Sequence, residues 1–190
     1  MQRTDTFYAA ALGLAAIIWI SNGLTGLGAI GESREFYVMA SVFIFAHVLV
    51  LVGLAGLLRR GVVGETHWGR AGLYLAMAAR IVFIVAEVAL LMRGHEQDLV
   101  LLPIAALGTA VGMAVAGVAA VREAQWKGWT RFTPLVMGAY PFLFMFPFVI
   151  TTGERPDLAV SLWGLTYLGI AAGFIRQPVP SPTVGMSTAS

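Results

Sequence analysis

An arginine stands in the middle of an oily segment, Ala78-Ala79-Arg80-Ile81-Val82, with long apolar runs on both sides. A central Arg costs about 2.5–3.5 kcal/mol on membrane-insertion scales. Its guanidinium offers five donors and no acceptor and keeps its charge. A lipid-facing position does not suit such a group. Arg80 is therefore expected to face the interior of a helix bundle and to meet acceptors or an anion there.

Depth within each apolar run shows which residues share its level. Counted from the basic end of each run at about 1.5 Å per residue, Arg80 lies about 14 Å deep and His47 about 16 Å deep, with Tyr140 and Tyr167 at about 12 Å. Asn22 and Glu87 form a second layer at about 22–24 Å, and Trp19 falls between the layers. A direct Arg80–Glu87 pair is disfavoured, because seven residues of helix separate them by about 10.5 Å. Helical side chains also lean toward the N-terminus, which turns Arg80 away from Glu87. The candidate ligand-binding set is Arg80, Glu87, His47, Asn22, Tyr140 and Tyr167. Arg80 suits an anionic or carboxylate solute, and an imidazole such as His47 can carry protons near neutral pH. The competing reading is a structural polar core in which these groups satisfy one another.

Other chemistries find little support. There is no Cys, which removes disulfides, thiolate catalysis and Cys-ligated metals. Gly26-Leu27-Gly28-Ala29-Ile30-Gly31 matches the dinucleotide fingerprint in letters but follows no strand and opens no helix. His95-Glu96-Gln97-Asp98 and Glu65-Thr66-His67 read as solvated loops rather than metal sites. Only His47 lies within an apolar run, so paired axial ligands for haem are missing. The single Lys lies in a loop, which removes an intramembrane Schiff base. No Ser-His-Asp arrangement appears, so no catalytic residue, metal or cofactor is assigned, and an enzyme is the less favoured class.

The elements that position these residues follow from composition. Apolar residues make up 58% and charged residues 12%, against about 45–50% and about 25% in soluble domains. A spanning helix needs about 20 predominantly apolar residues. Six runs qualify, near 7–30, 37–58, 71–92, 99–121, 132–152 and 157–175. The expected fold is all-α: a polytopic membrane protein of six transmembrane helices in three hairpins. Short loops make consecutive helices antiparallel neighbours.

Arg3, Arg59, Arg60, Arg70, Arg122, Lys127, Arg131 and Arg176 fall on one side of the runs, and Arg34, Arg93 and Arg155 on the other. The positive-inside rule then places both termini in the cytoplasm. The basic pI reflects this distribution and does not imply nucleic acid. One Lys against eleven Arg, with abundant Ala and Gly, suggests a bacterial inner (plasma) membrane. The first run is longer than a signal-peptide core and is expected to be retained. Residues 1–176 form the membrane domain, and 177–190, rich in Pro and Ser, are expected to be a disordered cytoplasmic tail.

Two local features carry packing predictions. Gly108, Gly112, Ala116 and Ala120 recur every four residues and form a flat strip for close helix approach, either within the bundle or between copies of the chain. Pro141 lacks an N–H, so the carbonyl of Met137 loses its helical partner and must find another in protein or water. Trp68, Trp126 and Trp129 fit an interfacial aromatic belt. The leading functional expectation is binding or conduction of a small solute or protons through the polar interior. The rivals are a non-transporting accessory subunit and a membrane-embedded lipid-acting enzyme.

Overall fold

A computed structural model describes residues 3–25, 34–93, 101–152 and 157–177. The described residues are helical apart from short turns. The elements are α1 (Arg3–Thr25), α2 (Arg34–Arg59), α3 (His67–Arg93), α4 (Leu101–Glu123), a 3-10 stretch (Gly128–Phe132), α5 (Thr133–Tyr140), a π-helical stretch (Pro141–Met145), α6 (Phe146–Thr152) and α7 (Asp157–Arg176). Six helices are long and apolar enough to cross a membrane, the fifth being the composite from Gly128 to Thr152. The helices run beyond the predicted 7 and 71 to begin at Arg3 and His67. The glycine motif at 26–31, the outer loop at 95–98 and the tail from 178 lie outside the described residues.

Each spanning helix packs on the next in sequence, and α7 packs on α1, so the bundle closes as a ring. Glycines set the closest seams. A Cβ on Gly112 would stand 2.6 Å from the amide nitrogen of Ala76 and 2.6 Å from the carbonyl oxygen of Gly72. A Cβ on Gly138 would run into the backbone at Ala114. Thus α4 touches α3 and α5 nearly backbone to backbone. Gly112, Ala116 and Ala120 are buried within this single chain. The strip that also read as a seam between copies is occupied by α3.

The turn after α2 shows how sequence ends a helix. Gly61 takes φ +61°, a conformation that glycine adopts without penalty. The amide of Val62 donates to the Leu57 carbonyl at 3.2 Å and that of Gly61 to the Leu58 carbonyl at 3.1 Å. This is the paired bonding of a Schellman motif, and Val62 and Leu57 supply its apolar contact.

The fifth span is broken, as its prolines require. Pro134 sits in the first turn of α5, where its missing N–H does no harm. Between Pro141 and Pro147 the helix widens into the π stretch, with the Phe146 amide donating to the Pro141 carbonyl. Wide turns of this kind re-route the ladder around an absent amide. Beyond it, α6 buries none of its side chains.

Candidate functional site

Arg80 occupies the interior of the ring and is fully buried. One terminal nitrogen bonds Nδ1 of His47 on α2 at 3.1 Å, and the other donates to the Tyr167 hydroxyl on α7 at 2.9 Å. A guanidinium can only donate, so Nδ1 of His47 accepts and the imidazole proton resides on Nε2. Three helices are joined through one side chain.

Aromatic rings line the same space. The guanidinium carbon lies 4.8 Å from the centre of the Trp163 ring, 5.2 Å from Phe83 and 5.7 Å from Tyr167. His47 stacks on Phe83 with centroids 4.5 Å apart and planes 12° from parallel. Trp19 on α1 meets His47, Trp163 and Tyr167 edge-on. Ring faces carry negative charge density and stabilise a desolvated cation by up to about 2 kcal/mol each. Among the described residues no salt bridge joins Arg80 to a carboxylate.

The interior also holds donors without acceptors. Nε of Arg80 and the indole Nε1 of Trp19 are buried and have no hydrogen-bond partner among the described residues. Trp19 touches the ring cluster directly. Buried polar groups are nearly always paired, and each orphan costs about 1–3 kcal/mol.

The structure sorts the sequence candidates into groups. Arg80, His47 and Tyr167 are brought together by direct bonds. Tyr140 is not part of that group: its hydroxyl donates to the Ala159 carbonyl at 2.9 Å. The fifth span begins at Gly128 rather than 132, and a 3-10 stretch rises about 2.0 Å per residue. A count from 132 at helical rise therefore understates how far Tyr140 lies from the start of its span. Asn22 and Glu87 are half-buried and are not among the bonded partners of Arg80.

Trp163 is the residue sequence reasoning missed. Its indole N–H donates to the Met137 carbonyl at 2.9 Å, the carbonyl that Pro141 was expected to free. A single buried indole thus satisfies α5 and faces Arg80. The signal lay in the sequence: a lone tryptophan donor within the sixth run, beside a proline-broken fifth run.

A second polar cluster ties the basic end together. Asp5 of α1 pairs with Arg60 at 3.3 Å, and both are largely buried. Arg60 also donates to the Gln177 carbonyl at 3.0 Å. The Gln177 amide bonds the Lys127 N–H, the Lys127 carbonyl and the Thr130 hydroxyl at 2.8–3.0 Å. Gln177, assigned to the tail from sequence, is anchored. Trp126, assigned to the interfacial belt, is buried against Phe174, whereas Trp68 and Trp129 are exposed.

The fold defines the class: an all-helical chain with six membrane-capable helices, compatible with a multi-pass membrane protein. Comparison with protein-family models, curated proteins and solved structures gives no match. Among the described residues there is no group of three or more His, Asp or Glu side chains placed to hold a metal.

Proposed function

We propose that this chain is a plasma-membrane protein, with both termini cytoplasmic, that binds a small anion within its bundle at Arg80 and conducts it across the bilayer. The observation that carries this reading is a fully buried cation whose bonded partners are all neutral. Arg80 bonds His47 and Tyr167, while its own Nε and the indole N–H of the adjoining Trp19 have no acceptor among the described residues. An acceptor-rich, negatively charged solute complements that set. In a low-dielectric interior the attraction between such a pair is strong.

Arg80 has no exposed surface in the described conformation. The site is therefore sealed, and access requires helix movement. The fifth span, widened by its π stretch and joined to α7 by side-chain bonds, is the element suited to move.

The test uses purified protein in proteoliposomes with formate, acetate, nitrate and chloride. Wild-type protein should bind or take up at least one of these. Arg80→Ala should lose that activity and Arg34→Ala should keep it. A second reading is favoured by the complete burial of Arg80: a tie between α2, α3 and α7. Arg80→Ala protein that unfolds in detergent, together with no anion binding by wild type, would establish the tie and remove the anion site.

A further inference from the structure

The 3-10 stretch between α4 and α5 is held unusually firmly for a connection. Gln177 clamps Lys127 and Thr130 through its side-chain amide. The Thr130 and Thr133 hydroxyls donate back to the Lys127 and Thr130 carbonyls at 2.9 and 2.8 Å. Trp126 fills the space over Gly173 and packs on Phe174. The clamp fixes what the segment displays. Trp129 is 51% exposed, and the Arg176 guanidinium lies over its ring at 5.6 Å. The Arg131 guanidinium lies over Phe132 at 4.7 Å, and its Nε is buried without a hydrogen-bond partner among the described residues.

Neither Arg131 nor Arg176 joins a salt bridge among the described residues, unlike Arg60 and Arg70 at the same end. Guanidinium groups match phosphate oxygens with paired donors. Trp at a helix end marks the headgroup level. Beyond Arg131 along the chain, Phe132 at the end of the 3-10 stretch and Val136 on α5 are exposed apolar side chains, as is Leu168 on α7. Phosphate-binding groups above and bare hydrocarbon below have the order of a phospholipid molecule.

We propose that Arg131 and Arg176, flanking Trp129, form a site for the phosphate headgroup of an anionic phospholipid, whose acyl chains lie along α5 and α7. This site is separate from Arg80 and does not depend on anion binding there. Its occupant is a membrane lipid, because a free phosphate would leave the apolar strip below unused.

The test is native mass spectrometry of the full chain in detergent, titrated with phosphatidylglycerol or phosphatidylcholine. Each Arg near a charged headgroup contributes about 1 kcal/mol, so with two of them wild type should retain phosphatidylglycerol roughly thirtyfold better than phosphatidylcholine. Arg131→Gln/Arg176→Gln should abolish the preference, and Arg70→Gln, which removes an equal charge from an ion pair at the same end, should keep it. If the double variant does not fold, Arg176→Gln alone, at an exposed position, should lower the preference about fivefold. The proposal is overturned by a preference that survives these variants. It is equally overturned by Arg70→Gln losing as much, which means diffuse charge, or by inorganic phosphate displacing the lipid at equal concentration, which means a free-ion site.

Discussion

The indole N–H of Trp163 lies 2.9 Å from the carbonyl oxygen of Met137, the one acceptor in α5 that Pro141 leaves without a helical amide. The same indole ring faces the Arg80 guanidinium at 4.8 Å. A proline in one helix is thereby linked to a cation on another through one tryptophan. The link makes a coupling prediction. Trp163→Phe keeps the ring and removes the donor, leaving a buried carbonyl unsatisfied, at about 1–3 kcal/mol. Pro141→Ala supplies a helical amide to the same carbonyl. The double variant should therefore be less destabilised than the two single variants together, by at least about 0.5 kcal/mol in a denaturation cycle. Strict additivity would show that the bond does not serve this purpose.

How far this was legible in sequence depends on what a helix fixes. Rise per residue is constant, so depth counts place Arg80, His47 and Tyr167 at one level, and the structure joins them. Rotation about each helix axis is not fixed by depth. Tyr140 shows the further limit, because the 3-10 stretch that precedes it changes both the start of the span and the rise on which the count relies. The Asp5–Arg60 pair was not legible, since nothing in the residues around either one reports that the start of α1 meets the end of α2. Trp163 was hidden by chemistry: within an apolar run an indole passes for hydrocarbon, although its N–H answers an acceptor in another helix.

Removing the Tyr167 hydroxyl tests the arginine's bonding directly. Tyr167→Phe preserves the ring beside Arg80 and Trp19 but removes the acceptor at 2.9 Å. Hydrogen bonds to charged groups contribute about 1.5–3 kcal/mol, and Arg80 would gain another orphan donor. Stability in detergent should fall by that amount. An unchanged midpoint would mean that the guanidinium finds another acceptor at no loss.

Replacing the arginine by a linear apolar side chain separates stability from binding. Buried ionic groups exchanged for well-packed apolar ones often leave a protein as stable as before or more so. Arg80→Met should then retain the fold, with a melting temperature at or above that of wild type, while losing the anion response. A marked drop in melting temperature would instead assign the side chain to holding α2, α3 and α7 together.

The α3–α4 seam gives a paired prediction about space. At Gly112 a Cβ would press on the Ala76 amide and the Gly72 carbonyl at 2.6 Å, and backbone atoms of two packed helices cannot step aside singly. Gly112→Val should force the helices apart. Overpacking of this kind costs about 1–3 kcal/mol, and more where backbone must shift. Gly13 is also helical, yet a Cβ there meets nothing within 4 Å. Gly13→Ala should stabilise by roughly 0.5–1 kcal/mol, because alanine loses less backbone freedom in a helix. Thermal unfolding of the two variants in one detergent decides the matter. Because the seam lies one turn from Arg80, separation at Gly112 should also loosen the arginine's bonds, which an increase in hydrogen exchange at α3 near Ala79 would report. Loss of stability without that increase would confine the effect to the seam.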